Sequence, residues 1–237
     1  MQKVFLSAEW RNLIMANYII EPALLQPYLP AGTELDFYHG NTYVSLVGFM
    51  FAHTKIRGIK IPFHANFEEV NLRFYVRRFE NGTWKRGVVF IKEIVPKPAI
   101  SFVANTVYKE KYCRMPMKHF LSVSNGQMQT GYQWKNRDRW HSLEATAVAT
   151  ARDIVPGSEE EFIAEHYFGY SRYDAATTYE YEVKHPRWQV YLLYNYKVSC
   201  DFKNIYGGSF AFLQNIQPNT VFMAKGSAVT VSFKKLV

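Results

Sequence analysis

The chain has 237 residues and a formal net charge of +8, with 48% hydrophobic and 17% aromatic residues. A chain of this length buries roughly 70–75% of its unfolded surface, so its core needs no staples. Its two cysteines, Cys113 and Cys200, lie far apart in no redox-like or metal-like spacing and read as reduced thiols. The basic residues are spread over most of the chain, with no RNP-like, helix-turn-helix or zinc-knuckle pattern between them. That distribution argues against nucleic acid and is met as well by a small acidic molecule drawn to a positive field.

At the start, Glu9, Arg11 and Asn12 interrupt any signal-like apolar run. Glu21–Leu29 reads as a short, proline-bounded helix. The most apolar stretch, Tyr43 to Ala52, has about half the length that a membrane helix requires. No membrane span is expected, and the expected location is cytoplasmic. Strands are expected over Thr42–Thr54, Phe67–Phe79, Trp84–Val95, Gln127–Asn136, Ser142–Arg152, Thr177–His185, Gln189–Ser199 and Asn219–Lys234, where aromatic and β-branched runs alternate with turn residues. Glu80-Asn81-Gly82 has tight-turn chemistry and predicts that the second and third of these pair antiparallel. Two further helices are expected. Pro98–Tyr112 spaces Ile100, Val103, Ala104, Val107 and Tyr108 along one face. Ser158–Tyr167 opens with a capping box in Ser158 and Glu161, and its acidic first turn suits the helix dipole. With no repeat or linker visible, residues 1–237 read as one mainly β domain, a barrel or sandwich.

The segment Phe67–Val76 carries the most information. Alternate side chains of a strand share a face, so Val70, Leu72, Phe74 and Val76 form a wholly apolar face. Phe67, Glu69, Asn71, Arg73 and Tyr75 form the other, with a carboxylate, an amide, a guanidinium and a phenol in a row. A polar row bracketed by aromatic rings and lacking lysine fits the inside of a ligand-bearing barrel as well as it fits a solvated strand face. The seven histidines show no metal-binding spacing, and no nucleophile elbow, P-loop or dinucleotide fingerprint is present. No metal and no cofactor is expected.

Several motifs together resemble a bacterial family of unknown function, the YqjF-like proteins, which are similar in fold to acetoacetate decarboxylase. The strongest is Phe67-x-Glu69-x-Asn71-x-Arg73-x-Tyr75-Val76 followed by Gly87-Val88-x-Phe90. Trp10, Leu13, Asn17-Tyr18, Leu29-Pro30 and Asp36 precede it, and Phe162, Tyr167, Tyr170, His185-Pro186-x-Trp188 and Ala224-Lys225-Gly226 follow. The resemblance implies a cone-like antiparallel barrel with helices packed outside and a pocket within. It gives Glu69 the place of a pocket-lining glutamate. It sets Arg114-Met115-Pro116-Met117-Lys118-His119 against the decarboxylase's Pro-Lys-Lys run, where a lysine of lowered pKa forms an imine with the keto acid. Met117 then stands at the nucleophile's place, and Lys118 is the remaining amine. Candidate catalytic residues are therefore Glu69 and Lys118, and candidate ligand-binding residues are Asn71, Arg73, Tyr75, His185 and Trp188.

Three readings are open at this stage. The leading one is a barrel binding a small anionic or carbonyl-bearing ligand, with enzymatic action on it as an extension. The others are a decarboxylase-like lyase using Lys118, and a non-catalytic protein whose basic surface meets an acidic partner.

Overall fold

The computed structural model describes residues 3–98 and 109–237. Its strands, in chain order, are β1 (Val4–Ile20), β2 (Glu34–Leu35), β3 (Thr42–Ile56), β4 (Ile59–Lys60), β5 (Phe67–Glu80), β6 (Thr83–Val95), β7 (Tyr112–Arg114), β8 (Met117–Ser124), β9 (Gln127–Asn136), β10 (Arg139–Asp153), β11 (Phe168–Arg172), β12 (Thr178–Lys184), β13 (Gln189–Ser199), β14 (Thr220–Ser232) and β15 (Lys235–Leu236). Among the described residues the α-helices are α1 (Pro22–Leu25), α2 (Glu159–Ala164) and α3 (Phe202–Tyr206), with 3-10 segments at Gln26–Tyr28 and Gly208–Asn215. None of the described helices is long and apolar enough to cross a membrane.

Strand pairing runs β12-β11-β6-β5-β3-β1-β14 and returns from β14 to β12 through Val183 opposite Val231, so the hydrogen bonds form a ring. All contacts around it are antiparallel except the short β6–β11 pair. The expected hairpin is present. Glu80 faces Thr83, and Asn81 and Gly82 carry φ of 51° and 79°, the two positive values of the turn that matches strand twist. From β14 the sheet continues through β13, β10, β9 and β8, and this outer part packs over β1, β3 and β5.

Each face of β5 therefore has its own core. Val70, Leu72, Phe74 and Val76 pack with Ile14, Leu46, Tyr132, Trp134 and Leu143 between the two layers. Close approach there needs Gly48, because a Cβ at that position would lie 2.8 Å from the Tyr132 ring. Inside the ring, Phe67 and Tyr75 pack with Leu13, Met15, Phe49, Phe51, Val88 and Trp188.

Some elements depart from the sequence pattern for identifiable reasons. β1 is a 17-residue strand in a segment for which no element is predicted. Asn12, at φ 54°, bulges it, so inward residues run Ala8 and Trp10 before the bulge but Leu13 and Met15 after it. The parity change hides the alternation that marks a strand. β8 and β11 are likewise unanticipated. The expected Glu21–Leu29 helix splits into α1 and one 3-10 turn at Gln26–Tyr28. Most of the expected Pro98–Tyr112 helix lies outside the described residues, and Tyr112 begins β7 instead of ending a helix. The expected helix from Ser158 holds as α2. Ser158 Oγ accepts from the Glu161 amide (3.2 Å), while Glu161 Oε2 accepts from the Gly157 amide (2.6 Å). Both cysteines are free thiols.

Candidate functional site

A cavity of about 140 Å³ opens inside the ring. Trp10, Phe49, Phe51, Phe67, Phe90 and Phe168 supply much of its aromatic wall, with Phe51 and Phe67 stacked at 4.6 Å. Its polar wall is Glu69, Asn71 and Arg73 of β5, Glu93 of β6, Glu110, Tyr112 and His166. The polar row of Phe67–Val76 thus faces a cavity, and Glu69, Asn71 and Arg73 come together there.

Glu69 is 2% exposed; its carboxylate accepts from Asn71 Nδ2 (2.9 Å) and from the Tyr112 hydroxyl (3.0 Å). Burial pushes its pKa up to about 7, against those hydrogen bonds and the Arg73 charge. Glu110 accepts from the Tyr181 hydroxyl (2.9 Å), and burial pushes it up to about 8. Glu93, also 2% exposed, is held well above the carboxylate range by burial and then by Glu110 and Glu69. Three carboxyl groups in a dry site cannot all ionise. Near neutral pH burial keeps Glu93 and Glu110 largely protonated while Glu69 lies near its midpoint, so the cluster offers a neighbouring cation at most a fraction of its formal charge.

That cation is Arg73, 8% exposed. Its NH2 group lies 3.5 Å from the Ile163 carbonyl at the end of α2, and its guanidinium carbon is 5.6 Å from the Tyr75 ring centroid. Its Nε is buried with no hydrogen-bond partner, and no carboxylate among the described residues forms an ion pair with it. Asn71 does not bridge Glu69 to Arg73, because its amide nitrogen goes to Glu69 and its Oδ1 is left unbonded. Glu93 Oε2 and His166 Nδ1 are buried and unpartnered too. Each orphaned group costs about 1–3 kcal/mol when nothing meets it. With Trp10 Nε1, five such atoms belong to residues lining this one cavity.

His166 follows α2. Its Nε2 lies 3.2 Å from Asp36 Oδ2, which also accepts from Arg86 Nε at 2.6 Å. Burial lowers the imidazole pKa to about 4 despite the Asp36 hydrogen bond, so the ring is neutral. Asp36 feels burial as well, but the bonds from His166 and Arg86 outweigh it and keep the carboxyl ionised.

The remaining sequence candidates sit elsewhere. Tyr75 is buried in the ring, but its hydroxyl donates to Ser45 Oγ (2.7 Å), which donates to Asn17 Oδ1 (2.6 Å). His185 stacks on Trp188 at 4.2 Å, and Trp188 donates to Ser227 Oγ (2.9 Å); both are packing residues outside the cavity wall. Lys118, expected as the remaining amine, is not part of the cavity wall. It lies on β8, the exposed end of the outer sheet, with its amine 4.9 Å from the Trp140 ring. Met117 beside it packs into the core between the layers, on the side of β5 away from the cavity. No lysine is among the described residues lining the cavity, and residues 99–108 contain none.

Glu93, Glu110, Tyr112 and His166 escape sequence reasoning for different reasons. A bulge in the β5–β6 ladder between Leu72 and Arg73 sets Asn71 opposite Glu93 but Arg73 opposite Phe90. Glu93 therefore joins Val88 and Phe90 on the inner face, where strict alternation would separate them. Glu110 and Tyr112 fall in a segment whose spacing reads as helical, and His166 stands alone in the sequence.

The chain and its fold have relatives. An uncharacterized protein, YqjF, from Bacillus subtilis (strain 168) is 27% identical over 182 residues, which are 76% of this chain and 72% of that protein. Among solved structures, the acetoacetate decarboxylase of Legionella pneumophila superimposes with a TM-score of 0.64 at 13% identity, covering 98% of this chain and 87% of that one. An acetoacetate decarboxylase-like enzyme from Sphingomonas wittichii RW1 gives 0.65 at 11%, covering 98% and 93%. The enduracididine biosynthesis enzyme MppR, solved in complex with pyruvate, gives 0.64 at 11%, covering 100% and 91%. At such identities the likeness is one of fold. Residues 7–228 match the DUF2071 family, described as an uncharacterized conserved protein, and the chain belongs to that family.

Proposed function

We propose that the cavity binds a small organic acid with an apolar body, and that Arg73 receives its charged end. The observation that carries this reading is the buried guanidinium without a carboxylate partner among the described residues. Burying a charge unpaired costs several kcal/mol, and a planar fork with free donors matches a carboxylate bidentately. The raised pKa values of Glu69 and Glu110 support the same reading, because protonated carboxyls leave the positive charge available to an incoming anion. The aromatic wall suits an apolar body.

Chemistry on the bound acid would form no covalent bond to the protein. An imine needs an amine, and Lys118 is outside the cavity. A protonated carboxyl at Glu93 is instead placed to give a proton, and the neutral His166 to take one.

Arg73→Lys tests the binding role, since it keeps the charge and loses the paired geometry. The variant should stay folded and lose most of its affinity for aryl and alkyl carboxylates in a calorimetric screen, while Lys118→Ala binds as the parent does. An Arg73→Lys protein that melts far earlier yet binds the same acids equally well would make Arg73 a structural residue.

A further inference from the structure

We infer that His166, oriented by Asp36, is the catalytic base of a proton-transfer site that enolises a 2-oxo acid seated on Arg73. The inference rests on the reading of the cavity as an anion site and adds what happens to the anion there.

The tautomer follows from the hydrogen bonds. Asp36 Oδ2 accepts from Arg86 Nε at 2.6 Å, and an ionised carboxylate can only accept. The imidazole nitrogen 3.2 Å from that oxygen, Nε2, therefore carries the hydrogen. Nδ1 is left as a lone pair, buried, without a partner, on a ring that lines the cavity. Tyr75 and Phe162 hold the ring at centroid distances of 4.7 and 5.3 Å, and the next residue is fixed by its amide donating to the Arg86 carbonyl at 3.2 Å.

The position on β5 completes the site. Glu93 is paired with Asn71, two residues before Arg73, and His166 contacts Tyr75, two residues after it. Two residues along a strand span ~7 Å. An acid whose carboxylate sits on Arg73 thus has a proton donor on one side and a proton acceptor on the other. Nδ1 takes a proton from the carbon next to the carbonyl, and the C–H electron pair becomes the new carbon–carbon π bond. The carbonyl π pair moves onto oxygen, which takes the proton of the Glu93 carboxyl. The products are the enol, an imidazolium and a carboxylate; the net charge is unchanged, and no oxidant or co-reactant is needed. Reversal with a solvent-derived proton returns the oxo acid with its hydrogen exchanged.

The test uses the full chain in D2O with 2-oxobutanoate and phenylpyruvate. Proton NMR follows loss of the signal from the carbon next to the carbonyl, and calorimetry measures binding on the same preparations. The protein should accelerate exchange, and His166→Gln should slow it by ~100-fold or more while leaving Kd nearly unchanged. If His166→Gln does not fold, Glu93→Gln carries the test, with exchange lost and binding kept. A parent protein that binds both acids without exchanging them, or a folded His166→Gln that exchanges at the parent rate, overturns the assignment of His166 and leaves the anion site standing. Failure of the parent to bind either acid overturns both.

Discussion

The two faces of β5 are buried almost equally and treated in opposite ways. Val70, Leu72, Phe74 and Val76 are fully buried between the sheet layers, where every surface is covered by another apolar side chain. Glu69, Asn71 and Arg73 on the other face are no more than 8% exposed, yet two of the three keep a polar atom with no partner. Depth therefore does not separate a core from a site. Unpartnered polar atoms occur on both sides, Trp134 Nε1 and Tyr206 OH among them in the apolar core, but only on the polar face do they line a cavity beside a buried charge, and stability and recognition should divide along the strand accordingly.

The largest expected effect breaks the apolar face. Phe74→Ala should destabilise the protein by about 3–5 kcal/mol, read as a lower denaturant midpoint, with the ligand profile of the surviving folded protein unchanged. Its counterpart, Arg73→Met, should do the reverse. Replacing an unpaired buried charge by an apolar chain of similar length should hold or raise the midpoint, and binding of organic acids should be lost.

The next effect sharpens the comparison through pH. Glu69 and Glu110 have folded pKa values of about 7 and 8 against an ordinary 4.5. Above pH 4.5 the folded state holds more protons than the unfolded one, so stability falls as pH rises until the folded values are passed. His166 acts oppositely, but its window lies between 6.5 and about 4. Above about pH 7.5 the unfolded imidazoles, whose folded counterparts at His141, His166 and His185 are all lowered, have lost their protons, and the melting temperature of the ligand-free protein should decline as the raised carboxyls ionise. Glu93→Gln removes one of the three like groups and should flatten that slope. Phe74→Ala should lower the whole curve without changing its slope.

How far the sequence reaches differs between the two faces. Binary alternation over Phe67–Val76 is enough to separate them, because no bulge interrupts that run within β5 itself, and Asn81-Gly82 fixes its partner. The rest of the site depends on irregularities that alternation cannot express. The Asn12 bulge switches the inward parity of β1, and the β6 bulge brings Glu93 inward. The signal for β8 lies in Asn125-Gly126, a two-residue turn with φ of 51° and 72° that pairs Ser124 with Gln127. His166 carries no local signal at all; its role is set by Asp36, 130 residues away in the chain.

The smallest expected effect concerns the link between α2 and the polar face. Ser158 caps the helix whose Ile163 carbonyl lies nearest the Arg73 guanidinium. Ser158→Ala should cost about 1 kcal/mol in a thermal melt and weaken acid binding only slightly, since it loosens a support without touching the charge.

The central claim is that buried protonated carboxyls leave Arg73 free to take an anion, and proton linkage tests it most directly. Calorimetric titration of phenylpyruvate at pH 7, repeated in buffers of different ionisation enthalpy, counts the protons moved on binding. An anion arriving beside Glu69 and occupying Arg73 raises the carboxyl pKa, so binding should take up protons, and affinity should fall as pH rises from 6 to 8.5 through the values of Glu69 and Glu110. Binding that releases protons, or that is indifferent to pH over this range, would contradict the account.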